Sequence, residues 1–225
     1  MSVLSWFVVA CTAVSTLGLL IYVRVILPRR VEERIRGSLK AFSTAIELRF
    51  PSHQGLTERV IALSAALGRH MGLRPRALAD LETAAHLRDI GLCAVPYRLI
   101  NEVPPSEWSG RDYELYERHG DISANMLETV PSLQRYARIV RCHHLPYLEE
   151  AAGYRVFGRS LPLEARILSV VTAYTWQERY QGDFLARETL REGRGTLFDP
   201  LVVDAFLGVL TSSRARDAAD SIAVR

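Results

Sequence analysis

The sequence predicts an all-α chain, a helical bundle preceded by one N-terminal transmembrane helix. Three observations point there. Residues 1–23 carry no charged side chain, and 17 of those 23 are hydrophobic. In the rest of the 225-residue chain, apolar residues recur at spacings of three and four, with Pro and Gly between the runs. No segment needs a strand to account for its pattern.

Val3 to Val23 runs without a charge. At ~1.5 Å per residue this is about 31 Å of helix, enough to span a hydrocarbon core of ~30 Å. Trp6 and Tyr22 stand near its ends, where amphipathic rings favour the interface. Met1–Phe7 holds no base, unlike the start of a cleaved leader. Pro28 is expected to break or bend the helix. Val31, Ile35, Leu39, Phe42 and Ile46 then form one amphipathic face of a stalk. A second helix covers Val60 to Met71 and stops near Gly72; a third opens at Pro75, a first-turn proline, and runs to Ile90. Further helices are expected from Pro104 to Leu115, Ile122–Val130, Leu133–Cys142 and Leu163–Tyr180. Pro146–Pro162 reads as a long loop. Asp199-Pro200 is a cap and first-turn proline for Leu201–Leu210, and the polar tail from Ser212 is expected to fray. The resulting division is anchor 1–27, basic stalk 28–40, helical domain 41–210 and tail 211–225.

Charge sharpens this division. Residues 24–40 hold six bases and two acids, a local balance of +4; residues 41–225 balance to −1. The body therefore lacks the basic face that phosphate backbones require, and no nucleic-acid partner is expected. The collar follows the apolar span, so the positive-inside rule places residues 24–225 in the cytoplasm, as a single-pass protein of the inner membrane. Three cysteines, Cys11, Cys93 and Cys142, are too sparse for a disulfide framework and agree with a reducing compartment.

Chemistry is concentrated in histidines. His143-His144 stands at the end of an apolar helix, and such a pair converges on one ion only where the backbone turns. Imidazoles with a carboxylate suit Zn, Fe or Mn. No Gly-rich phosphate loop is present, Ser169 and Thr172 read as packing residues on an apolar helix, and Cys142 as a buried inert thiol.

Over roughly residues 41–210 the order of blocks resembles the HD-GYP domain, a subgroup of the HD phosphohydrolases. Residues 51–60 (PSHQGLTERV) resemble the opening GHS-x-R-V segment, and residues 84–91 (AAHLRDIG) the HD dyad segment, HDIGK. His119-Gly120-Asp121-Ile122 stands where the family has HP-x-IG, and His143-His144 where it has HHE. Gly153-Tyr154-Arg155 resembles the GYP signature, residues 161–173 (LPLEARILSVVTA) the late helix, and residues 195–206 (GTLFDPLVVDAF) the C-terminal block. The resemblance implies a helical bundle with a multi-metal centre that hydrolyses cyclic di-GMP by activating a hydroxide for attack on phosphorus.

The departures from that pattern are concentrated. Leu56 replaces the opening histidine, Arg88 the histidine of the dyad, Leu92 a phosphate-facing lysine, and Thr172 the late aspartate. By the resemblance these changes remove three ligands of one metal site, whereas Asp89, His119, His143 and His144 preserve the other. Arg88 puts a fixed cation where an ion would sit, and it is expected to pair with Asp89 or, like Arg155, with a phosphate. His53 and His86 lie close in sequence to the lost ligands, but His86 is expected to face elsewhere. The expectation is a membrane-tethered pseudo-enzyme that binds at most one divalent metal, with a cyclic dinucleotide, a protein partner or a second copy through the Val31–Ile46 stalk as its ligand. The alternative is an active phosphohydrolase working with the single remaining site.

Overall fold

The computed structural model describes residues 3–147 and 158–223, and every regular element within them is helical. An isolated bridge between Arg194 and Phe198 is the only β pairing among the described residues. The chain divides into two compact units, Met1–Ala41 and Phe42–Arg225.

The first unit begins with helix α1 (Val3–Ile21), a π-helical stretch Tyr22–Ile26, and the start of α2 (Leu27–Arg49). The expected break at Pro28 is absent: Pro28 lies in the first turn of α2, directly after the π turn. The wider turn accommodates a residue with no N–H to give and a ring that crowds the preceding turn. By length and composition, Ser5–Ile26 is able to cross a membrane, with a mean hydropathy of 2.0.

The second unit is a bundle. Helix α3 (Leu56–His70) and α4 (Pro75–Leu87) are joined by a turn in which Gly72 has φ 75°, a left-handed conformation that stops α3 where the sequence pattern placed it. Glu47 caps the start of α3, accepting from the backbone N–H of Thr57 at 2.8 Å and of Gly55 at 3.2 Å. α4 ends at Leu87, three residues before the expected Ile90, which belongs instead to a 3-10 turn, Ile90–Ala94. A short α5 (Tyr97–Asn101) follows. The helix expected from Pro104 begins later, as α6 (Gly110–Glu117), because Ser109 and Asp112 form a capping box there. Pro105–Glu107 is a single 3-10 turn.

α7 (His119–Glu128) and α8 (Gln134–Cys142) pack as a pair; α9 (Leu163–Gln181) crosses α3, α4 and α8. α10 (Asp183–Glu192) was not read from the sequence; its apolar face is short, with Ala186 and Leu190 buried against α9. α11 (Pro200–Ala223) begins as expected, with Asp199 Oδ1 accepting from Leu201 N–H at 2.8 Å. It continues past Ser212 instead of fraying there, because residues 214–219 are alanine- and arginine-rich good helix formers.

The core gathers Leu67, Leu81, Leu87, Leu127, Val140, Ile167, Leu168, Val171 and Phe206, all fully buried. A second cluster, Phe50, Leu92, Val95, Leu99, Ile100 and Trp108, fills the end of the bundle near α5.

Candidate metal centre

Three chain segments converge at one place. Asp89 lies in the turn between α4 and the Ile90–Ala94 turn. His119 opens α7, and His143 and His144 follow the last residue of α8. Two glycines set the approach. A Cβ on Gly91 would fall 2.2 Å from the carbonyl oxygen of His119 and 2.7 Å from the Ser123 nitrogen, so only glycine lets the turn after Asp89 rest on α7. A Cβ on Gly120 would stand 3.4 Å from Cε1 of His143 and 3.5 Å from Cδ2 of His144, which leaves the two imidazoles tight against α7. Ser123, fully buried, ties the layers: its hydroxyl donates to the Arg88 carbonyl at 2.7 Å and accepts from the Gly91 N–H at 2.8 Å.

The imidazoles are oriented by the backbone. Nδ1 of His119 is 2.5 Å from the Tyr116 carbonyl, and Nδ1 of His143 is 2.5 Å from the Val140 carbonyl. A carbonyl only accepts, so each Nδ1 carries the proton and each Nε2 presents a lone pair. Nε2 of His143 is buried with no hydrogen-bond partner. Nε2 of His144 is 3.3 Å from Nε2 of His119, and one ligand atom from each of the three histidines lies within 4.8 Å of the others. Oδ1 of Asp89 is 3.5 Å from Nε2 of His119.

Protonation favours a cation here. Burial lowers the pKa of His143 to about 3 and that of His144 well below its ordinary value; the neighbouring imidazoles push the same way. Burial alone would raise the Asp89 pKa, but the Arg88 guanidinium and His119 outweigh it and hold the carboxyl below its usual range. A carboxylate with neutral imidazoles is the form a divalent ion binds. The donor set, the orphaned Nε2 of His143 and the carbonyl-anchored Nδ1 atoms fit one divalent metal held by Asp89, His119, His143 and His144.

The other half of the expected centre is different. Arg88, its side chain 3% exposed, points Nη2 at Oδ2 of Asp89, 2.6 Å away, and Nη1 at the Ala85 carbonyl at 2.5 Å. Of the two expected partners, Asp89 is the one it meets. Leu56 is buried on α3, and Leu92 lies inside the apolar cluster. Thr172 presents a buried hydroxyl with no partner. Arg155 and the Gly153-Tyr154-Arg155 signature lie outside the described residues.

His86 faces away, its Nδ1 3.2 Å from the Ser43 hydroxyl. His53, 4% exposed, turns inward: its ring centre is 5.2 Å from that of Trp176, and its Nε2 is buried without a partner. Its pKa falls to about 4 through burial; Asp89 opposes this fall, and Arg88 and His119 add to it. Cys142 is half-buried, and burial raises its thiol pKa. A cavity of about 890 Å³ opens beside His144 and is walled by Tyr116, Thr172 and Trp176 among others. Tyr116 and Trp176 were not singled out from the sequence. Isolated aromatics within helices give no signal there, and only the fold turns them toward a shared space.

These observations converge with the comparisons. A family model described as HD domain matches residues 40–202, and the chain belongs to that family. It is 31% identical over 188 residues to the cyclic di-GMP phosphodiesterase response regulator RpfG of Xanthomonas campestris pv. campestris, covering 79% of this chain and 48% of the relative. It is 29% identical over 161 residues to a cyclic di-GMP phosphodiesterase of Thermotoga maritima, covering 67% of this chain and 43% of the relative. The HD-GYP resemblance read from motif order thus finds its counterparts among relatives named cyclic di-GMP phosphodiesterases. The chain spans about half the length of the curated relatives it matches. A crystal structure of a cyclic GMP-AMP specific phosphodiesterase of Vibrio cholerae shares the fold, with a TM-score of 0.61 and 16% identity, over 78% of this chain and 48% of that one.

Proposed function

We propose that this chain is a membrane-anchored HD domain with one metal site that does not hydrolyse cyclic di-GMP, and that it acts as a binding or regulatory module for a cyclic dinucleotide. The observation that carries this reading is the Arg88–Asp89 pair at 2.6 Å. A guanidinium cannot be deprotonated at working pH, carries no lone pair and cannot generate a hydroxide. It supplies the charge of the lost ion without its chemistry. With Leu56 and Thr172 in place of two further ligands and Leu92 in place of a phosphate-facing lysine, no second Lewis acid remains for the leaving oxygen.

Asp89, His119, His143 and His144 would hold the remaining ion, of Fe, Mn or Zn type, which supplies Lewis-acid polarisation of a bound phosphoryl oxygen. Around it, Asp89 contributes a negative charge, and the Tyr116 and Val140 carbonyls keep two of the imidazoles aimed inward. The anchor rests on the 22-residue span Ser5–Ile26 and the +4 collar that follows it.

The relatives named as cyclic di-GMP phosphodiesterases make cyclic di-GMP the ligand to test. The full chain, purified in detergent, is assayed for metal content and for turnover of cyclic di-GMP. About one ion per chain, binding of the dinucleotide and no turnover are expected. Turnover that disappears in His144→Ala would overturn the reading in favour of a single-metal phosphohydrolase.

A further inference from the structure

The face of α9 that meets the cavity is unusual for a helix so deep in a bundle. Ser169, Thr172, Ala173, Trp176 and Gln177 follow the i, i+3, i+4, i+7, i+8 stripe that normally faces a core, yet here they line the cavity of about 890 Å³. That volume lies within the range of small-molecule sites. Trp176 is the largest side chain of the stripe. Its indole is braced by other rings, Tyr180 at 4.7 Å, His53 at 5.2 Å and Tyr116 at 5.5 Å between ring centres. A braced aromatic wall has few rotamers left to lose when something flat is laid on it.

The same cavity reaches His144 of the metal set, and Arg118 also lines it. Among the described residues Arg118 makes no ion pair, unlike Arg141 nearby, which is taken up by Asp121 and Glu128. Gln177, beside Trp176, offers an amide with both donors and an acceptor. Glu114, Glu117 and Asp121 line the cavity as well, so a phosphate is accommodated only where Arg118 and the cation-binding cluster offset them, while the flat π wall and the amide next to it suit a base.

We propose that the cavity is a nucleotide site in which Trp176 stacks a base while Arg118 and the His144 end take the phosphate. This rests on the dinucleotide-binding reading above and assigns it a specificity-determining residue. Stacking on an aromatic side chain is worth about 1–3 kcal/mol per base, which corresponds to roughly 5- to 150-fold in affinity.

The test uses the full chain in detergent, with cyclic di-GMP as the probe and calorimetry as the readout. Trp176→Leu keeps an apolar side chain of good volume but removes the flat π face; Trp176→Phe keeps a smaller one. Trp176→Leu is expected to weaken binding at least fivefold and Trp176→Phe to recover most of the loss, with metal content unchanged in both. Arg118→Gln is expected to weaken binding and to flatten its salt dependence. Cyclic di-GMP affinity equal to wild type in a folded, metal-loaded Trp176→Leu protein would overturn the inference while leaving the dinucleotide reading intact. Failure of the wild-type chain to bind cyclic di-GMP at all would defeat that reading and the inference with it.

Discussion

Two halves of one expected constellation sit in the same bundle and differ in their chemistry. On one side, His119, His143 and His144 keep their ring nitrogens within 4.8 Å of one another, two of them anchored by backbone carbonyls. On the other, Leu56 and Leu92 are buried among apolar residues, Thr172 has an unpartnered hydroxyl, and Arg88 presses its guanidinium on Asp89. Asp89 belongs to both halves. The difference teaches that a buried carboxylate must be balanced by some cation, and that a guanidinium supplies this charge without offering a coordination site.

Four changes break or sharpen this contrast. The largest effect is expected from His143→Ala, which removes a ligand with a buried, unpartnered Nε2. Metal affinity, measured by competition with a chelating dye, should fall by about 100-fold or more, since losing even outer-shell support costs 10–100-fold. Next is Asp89→Asn, which leaves Arg88 buried without a counter-charge. Destabilisation of about 3–5 kcal/mol is expected in urea titration of the metal-free chain. The double variant Arg88→Met/Asp89→Asn should recover most of it, because an uncharged pair of similar volume replaces the ions. A double variant as unstable as Asp89→Asn alone would sink the counter-ion account.

A pH effect comes third. His53 titrates near 4 in the fold and near 6.5 when unfolded. Between those values the unfolded chain binds a proton and the folded chain does not, so stability falls as pH drops from about 6.5 to about 4. The part due to His53 is on the order of 3 kcal/mol, and His53→Gln should flatten the acid limb of unfolding free energy against pH, measured by urea titration, by that amount. The smallest change is expected from Thr172→Val. Removing a buried hydroxyl with no partner should shift stability by less than about 1 kcal/mol, towards greater stability, and leave metal content as it was. A drop in metal content on Thr172→Val would place Thr172 in the working half.

Much of this was legible in the chain. Pro75, Gly72 and Asp199-Pro200 mark helix ends by local chemistry that needs no partner, and the structure puts those ends where the residues put them. The three histidines that converge were readable as candidates too, because a motif order survives as long as most of its members do. Helix α10 was not readable: its apolar face is short, and its burial against α9 stabilises it more than its own pattern does. His53 was readable as a residue but not as a member of the site. Its inward turn depends on the 3-10 turn Pro51–His53 and on Trp176, more than a hundred positions away.

The sequence by itself determined the helical class, the apolar span with its basic collar, and the identity of the residues present and missing at the centre. These follow from periodicity, charge order and side-chain chemistry, which are properties of neighbours along the chain. Only the tertiary structure decided that Arg88 places its charge on Asp89, that a ring nitrogen from each of three histidines converges, and that Trp176 walls a cavity beside them. Those outcomes depend on distances between helices α4, α7, α8 and α9, which packing sets and no local segment encodes.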